Sequence, residues 1–295
     1  MVCEGEITAM TLVGIKESEC CYQSIADARC WAEKVWAEAE EKWLVRDGQH
    51  HFYTDYVVIP GLMHCIQRIC STNFIELVDI GCGDGYLTEH LVTKMLAAGI
   101  FASRVLLLDC SQIKLEIASG RSNLSNAMPI RCNLNDCNWF VDIPPYTCQR
   151  IFISVFSIQE LPALDNLLFG LESIVSQHDI VLLLTVAPKY SELLLREGKI
   201  LHHVQGTIND DWHWRGLYPI DGAAGRLYLP HFHRTVEDYL QSLNAYGFHN
   251  IGTCYLSVPN SQNANSFFSK TIYGRRIIGK QSSMILTIKK MDTDI

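Results

Sequence analysis

Early in the chain, apolar residues recur at helical spacing. Ala28, Trp31, Val35, Ala39 and Trp43 fall on one face, which predicts a helix from Ser24 to about Val45. A shorter helix is predicted over Leu62–Ile69, where Pro60-Gly61 suits a helix entry. From Ile75 onward the period changes. Short, continuously apolar runs at Ile75–Ile80, Arg104–Leu108, Pro129–Arg131, Arg150–Val155 and Ile180–Thr185 read as strands. Between them, Leu87–Ala97, Gln112–Ser119 and Asp165–Val175 read as helices. Strands that are apolar throughout, separated by helices, indicate a parallel sheet covered on both faces.

The alternation breaks between Ala187 and Leu229. This stretch is polar-aromatic and irregular, with His202-His203, Asp211-Trp212-His213-Trp214 and Gly222-Ala223-Ala224-Gly225. It is too long for a simple connection, so it is a candidate lid or substrate-binding insertion. Helical spacing returns over Thr235–Tyr246, closed by Gly247. Strand-like runs follow at Ile251–Ser257 and Ser283–Ile288, with an exposed loop expected over Asn260–Gly279. Residues 1–20 carry no period and are expected to form a loose arm.

Composition narrows the function classes. The chain is 48% hydrophobic and 19% charged, enough apolar residue to bury a core without metals or disulfides. Its net charge of -8 argues against sequence-independent nucleic-acid binding, which needs clustered Lys and Arg. No apolar run approaches about 18 residues, so no membrane span is expected. Twelve cysteines include no CxxC pair, and the N-terminus lacks the pattern of a signal peptide. A cytoplasmic protein with reduced thiols and no bound metal is the expectation.

The sharpest chemistry lies in Val78-Asp79-Ile80-Gly81-Cys82-Gly83-Asp84-Gly85, directly after a predicted strand and before a predicted helix. Glycines let the backbone turn tightly and let a ligand lie against it, and three exceed what a packed turn needs. The helix N-terminus beyond them offers unpaired N–H groups. A dinucleotide fold requires G-x-G-x-x-G, whereas this spacing is G-x-G-x-G. Asp109, ending the second strand at Leu108-Asp109-Cys110-Ser111, is placed to accept hydrogen bonds from both ribose hydroxyls, or merely to cap the next helix.

The two motifs together resemble class I S-adenosylmethionine-dependent methyltransferases of the small-molecule type. The resemblance covers roughly Ser24 to Lys289 in layout, and its first two motifs are the specific ones. It implies an α/β fold: a Rossmann-like, seven-stranded, mostly parallel sheet with helices on both faces, an N-terminal helical cap and an insertion after the fifth strand. Residues 1–70 would form the arm and cap and residues 71–295 the cofactor-binding core, with 188–230 as lid or substrate insertion.

The resemblance also implies site residues. Asp79, Gly81, Gly83 and Gly85 would hold the amino-acid and ribose parts of S-adenosylmethionine, with Asp109 and Cys110 at the ribose. Asn133 and Leu134 stand where the family usually places an Asp near adenine, and Asn can still hydrogen-bond that edge. Ser154 and Phe156 match the motif lining the methionine portion, and Gln159 would face the acceptor. His231, His233 and His213 are candidate general bases; the bland alternative is a capping or surface histidine. Trp212, Trp214, Tyr218 and Phe232 suggest a small, largely apolar or aromatic acceptor.

The implied function is methyl transfer to an O or N atom of a small metabolite, with specialised metabolism as the expected setting and S-adenosylhomocysteine as product. A homodimer is left open. The alternative is a cofactor-binding protein of this fold that catalyses a non-methylating reaction such as cyclisation, or acts as a regulatory subunit.

Overall fold

The computed structural model describes residues 25–44, 51, 53–146, 148–206, 212–222, 225–258 and 279–291, with backbone alone at 25, 37–44, 219–222 and 225–227. The expected arm over residues 1–20, Asp211 and the loop over 260–278 lie outside the described residues, as do the side chains of Ala39 and Trp43. Among the described residues, no helix is long and apolar enough to cross a membrane.

Five strands form the parallel half of a sheet: β1 (Phe74–Ile80), β2 (Phe101–Asp109), β3 (Met128–Arg131), β4 (Arg150–Val155) and β5 (Ile180–Val186). β5 is buried at every position, as a central strand covered on both faces must be. Two later strands, β9 (Phe248–Ser257) and β10 (Gln281–Lys290), complete it. The spatial order is β3-β2-β1-β4-β5-β10-β9, and β10 runs antiparallel to both its neighbours. The expected seven-stranded, mostly parallel sheet is therefore the observed one.

Strand alternation sends side chains to two apolar layers. From β1, Ile75 and Leu77 enter one layer with α2 (Ile59–Ile69), α3 (Tyr86–Ala97) and α4 (Gln112–Ser119). Val78 and Ile80 enter the other with α5 (Asp165–Ile174) and α7 (Val236–Ala245). The strand order reverses between β1 and β4, which lie side by side with β2 and β5 beyond them. In open α/β sheets the crevice at such a reversal, beyond the carboxyl ends of the strands, is where ligands bind.

The segment after β5 departs from the expectation. It is ordered into α6 (Pro188–Arg196) and a separate antiparallel sheet of β6 (Leu201–Gln205), β7 (Trp214–Gly222) and β8 (Gly225–His233). His231 and His233 stand at the end of β8, just before α7, and both are buried rather than capping or surface histidines. Residues 214–218 of β7 and 229–233 of β8 are buried on both faces, so their sequence lacks the polar alternation that marks a surface strand. One face carries Trp214, Tyr218, His231 and His233; the other carries Leu217 and Phe232 against α1 (Ile25–Leu44). Trp31 meets Phe232 edge-on at 5.8 Å, and Ala28, Ala32 and Val35 fill the rest of that contact.

Tight packing on the α5 side gives a direct test. A Cβ on Gly170 would lie 2.2 Å from Trp139 Nε1, which donates to the Asn166 carbonyl at 2.9 Å. Gly170→Ala is expected to cost about 1–3 kcal/mol in urea unfolding through overpacking. A variant as stable as wild type would mean that Trp139 moves freely.

Candidate functional site

Three glycines build the turn from β1 into α3, all with positive φ: Gly81 at 76°, Gly83 at 57° and Gly85 at 74°. That region disfavours residues with a Cβ. Their surroundings differ. A Cβ on Gly81 would lie 2.2 Å from Ser157 Oγ, and one on Gly85 2.7 Å from Ala118 Cβ. Both are thus packing glycines as well as turn glycines, which the motif alone does not reveal. Gly83 has nothing within 4 Å of its Cβ position, so a ligand can lie against it.

Asp109 fixes this turn. One carboxylate oxygen accepts from Gly83 N at 2.8 Å and the other from Ser111 N at 2.9 Å. A carboxylate has about four acceptor positions, so these two bonds leave capacity for ligand hydroxyls. Leu108, one residue earlier, accepts from Gly81 N at 2.8 Å and Cys82 N at 2.9 Å. Asp79 lies beneath, 2% exposed, and accepts from the Thr88 hydroxyl. Burial pushes its pKa up to about 7; the Asp109 charge adds to this and the Thr88 bond opposes it.

Beyond β2 and β3, a cleft of about 400 Å³ is lined by Cys110, Arg131, Cys132, Asn133, Asp136 and Trp139. Cys110 is exposed and Leu134 half-buried. Asn133 accepts from Asn135 N at 3.0 Å and reaches Glu33 of α1 at 3.4 Å through its amide nitrogen. After β4, Phe156 takes φ 58°, an unusual conformation for a non-glycine residue, with its N–H donating to the Leu184 carbonyl at 2.8 Å. Such outliers persist where surroundings over-determine them, and they cluster at binding sites. Gln159 supplies part of that determination: its amide donates to the Phe156 carbonyl at 2.7 Å and accepts from Thr185 Oγ1 at 2.9 Å. Ser154, at the end of β4, is fully buried.

Sequence reasoning missed the connection between α1 and this rim. Trp36 hydrogen-bonds Glu160, and Lys114 Nζ sits 4.2 Å above the Trp36 ring. Burial holds the Glu160 carboxyl well above the usual carboxylate range, with Lys114 and Trp36 opposing. Of the stripe expected from helical spacing, Ala28, Trp31 and Val35 are buried, and Glu33 and Trp36 lie off it.

The three candidate histidines separate. His231 and His233 are buried, 2% and 3% exposed, on the same face of β8. Burial pushes the His231 pKa down to about 3, with His233 and Arg234 contributing. Burial also takes His233 down to about 4, aided by His213 and Arg234 against Asp238. Both rings are therefore neutral at neutral pH. His233 stacks on Trp214, ring centres 4.7 Å apart, while exposed His213 pairs with Asp238 at 3.0 Å. The four aromatic candidates divide likewise: Trp214 and Tyr218 share the His231 face, and Trp212 and Phe232 pack with α1.

Solved structures share the fold of this chain. A protein from Listeria monocytogenes assigned as an S-adenosylmethionine-dependent methyltransferase aligns with a TM-score of 0.51 at 15% identity, over 79% of this chain and 99% of that one. An S-adenosylmethionine-dependent methyltransferase from Clostridium acetobutylicum gives 0.50 at 12% identity, over 89% and 100%. The chain of a DhpI–SAM–HEP complex gives 0.50 at 15% identity, over 91% and 99%. The chain has the class I S-adenosylmethionine-dependent methyltransferase fold. No protein-family model matches the sequence, and no curated protein does. Within this methyltransferase fold, the glycine turn follows β1 and Phe156 follows β4, at the reversal of strand order, and Asp109 ends the neighbouring β2.

The unequal surroundings of the glycines predict unequal costs. Gly83→Ala is expected to lose only about 1 kcal/mol in urea unfolding, from its φ alone. Gly85→Ala should lose about 3 kcal/mol, because backbone strain and the clash with Ala118 add. Equal losses would contradict the packing assignment.

Asp79 predicts a pH dependence. Its folded-state pKa of about 7 lies above the roughly 4 of an exposed Asp, so its contribution to stability is full below about pH 4 and is lost as pH rises through about 7. Unfolding of Asp79→Asn and wild type, compared across that window, should show the difference moving in favour of the variant as pH rises. A constant difference would mean that Asp79 is not held protonated by burial.

Proposed function

We propose that this chain transfers a methyl group from S-adenosylmethionine to a small, largely apolar or aromatic acceptor. The observation that carries the reading is the open approach to Gly83 beside Asp109, at the crevice of a methyltransferase fold. Asp79, Gly81, Gly83 and Gly85 would form the seat for the amino-acid and ribose parts, and Asp109 and Cys110 the ribose edge. Asn133 and Leu134 would border adenine, with Ser154 and Phe156 along the methionine portion. When bound, S-adenosylmethionine supplies a methyl group already activated by its sulfonium.

What remains for the protein is to orient the acceptor and exclude water. Tyr53, Phe156, Trp214 and Tyr218 belong to one apolar cluster and supply a dry wall for it. Gln159, though proposed for the acceptor, holds the Phe156 loop through both ends of its amide and would act by positioning that wall. His231 and His233 are weak bases at the low pKa values that burial gives them, so their catalytic role in this proposal is orientation. His213 would contribute from the surface through Asp238. Trp212 and Phe232 would shape the acceptor region by locking α1 onto β8.

The wider proposal has residues 1–70 as the cap, 71–295 as the core and the segment from 188 to 230 as the acceptor-side insertion. It also includes specialised metabolism, a cytoplasmic setting and a homodimer, with a small molecule and no nucleic acid as partner. The net charge of -8 supports the last point.

The test uses methyl-labelled S-adenosylmethionine and a metabolite extract. The proposal expects label in an extract-derived small molecule. It also expects an Asp109→Ala variant, folded by circular dichroism, to bind S-adenosylhomocysteine about a hundredfold more weakly, through loss of both the loop tie and the hydroxyl contacts. Binding without any labelled product would favour the non-methylating or regulatory alternative.

A further inference from the structure

Among the described residues, three cysteines stand just beyond the carboxyl ends of neighbouring strands: Cys82 after β1, Cys110 after β2 and Cys132 after β3. Cys82 is buried, Cys132 half-buried and Cys110 exposed. Packing as a small hydrophobe accounts for Cys82, but not for an exposed cysteine beside a second one at the rim of a cleft.

Cys110 and Cys132 are paired by register. β2 and β3 run parallel with Asp109 opposite Arg131, so the next two positions along the strands are Cys110 and Cys132. Two bonds hold the strand ends together there. Cys132 N donates to the Asp109 carbonyl at 3.0 Å, and Arg131 Nε donates to the Cys110 carbonyl at 3.2 Å. Neighbouring strands lie about 4.8 Å apart, inside the Cα separation of roughly 4.4–6.8 Å that a disulfide spans. Both cysteines line the same cleft, so they share one side of the strand ends. Burial pushes the Cys132 thiol up to about 12, and the neighbouring Asp109 and Cys110 add to this. Its thiolate is therefore scarce, and an oxidant arriving from solvent meets exposed Cys110 first.

We propose that Cys110 and Cys132 form a reversible disulfide that closes this cleft, with a small disulfide such as oxidised glutathione as the oxidant. What the bridge shuts out rests on the methyl-transfer reading, in which the adenosine of the cofactor lies along the cleft; the bridge itself does not. The Cys110 thiolate attacks one sulfur of oxidised glutathione, whose S–S bond breaks, giving a mixed disulfide and one glutathione thiolate. The Cys132 thiolate then attacks the Cys110 sulfur and expels the second glutathione. Two protein thiols are oxidised, one glutathione disulfide is reduced to two thiols, and the cysteine protons pass to the released glutathione. The second step is slow because the Cys132 thiolate is scarce. The bridge stands between Asp109 and Asn133, across the line from the proposed ribose edge to the proposed adenine edge.

The experiment incubates the wild-type chain with oxidised glutathione, removes the excess, and maps peptide masses without reduction. The expected product joins the peptides carrying Cys110 and Cys132, with two hydrogens lost and no glutathione attached. Cys132→Ser is expected to stop at the mixed disulfide on Cys110, and Cys137→Ser to form the bridge as wild type does. The bridged protein is expected to bind S-adenosylhomocysteine about tenfold more weakly, with affinity restored by dithiothreitol. By the same linkage, saturating S-adenosylhomocysteine should lower the bridged fraction in a glutathione redox buffer. No bridge, a bridge mapped to another pair, or equal affinity of the bridged and reduced proteins overturns the proposal. The mapping uses wild type without cofactor, so a misfolded variant leaves it intact. Failure of the reduced protein to bind S-adenosylhomocysteine counts against the methyl-transfer reading, while the mapping still decides the bridge.

Discussion

The hydrogen bond from Gly83 N to the Asp109 carboxylate joins the two strand ends on which the site depends. β1 delivers the glycine turn and β2 delivers the acid, and their parallel register sets Ile80 opposite Leu108. The tie adds to the bonds from Gly81 N and Cys82 N to the Leu108 carbonyl in fixing a turn whose glycines lose more conformational freedom on ordering than other residues. The same carboxylate also holds Ser111 N, at the N-cap of α4. One side chain therefore helps set the turn, holds the N-cap of a helix and keeps spare acceptor capacity. Beneath it, Asp79 stays buried against Thr88, so two carboxyl groups share the region with different environments.

Around that junction the fold places two further layers. α1 spans from the apolar face of β8 to the rim formed by Glu160, Lys114 and Asn133. The small sheet of β6, β7 and β8 stands beyond β5, with its two faces serving different ends. Phe232 and Leu217 secure α1, while Trp214, Tyr218 and His231 look toward the cluster containing Phe156. Tyr53 closes the arrangement from the α2 side, hydrogen-bonded with Ser282 and Ser283 of β10 at 2.7 Å each. In the proposed function the parallel sheet would serve the cofactor and the segment after β5 the acceptor.

How much of this was legible in the sequence depends on how locally each feature is determined. The central strands announce themselves because burial on both faces demands unbroken apolar runs, as in Ile180–Val186. The turn was legible because positive φ at Gly81, Gly83 and Gly85 restricts the residue type. The small sheet was not, since glycine and histidine occupy positions on its inner face and aromatic residues occupy both faces. Phe156 carries no hint of its backbone conformation, which the Leu184 carbonyl and Gln159 impose from elsewhere in the chain. Nor could spacing show that Trp36 meets Glu160, or that Gln159 supports a loop. Those relations exist only once the sheet brings distant segments together.

The central claim is that the glycine turn and Asp109 form a seat for S-adenosylmethionine rather than for a dinucleotide. Calorimetric titration of the wild-type chain with S-adenosylhomocysteine, and separately with NAD, tests it most directly. The account predicts saturable one-to-one binding of S-adenosylhomocysteine and none of NAD. Binding of NAD alone, or of neither compound, would contradict it.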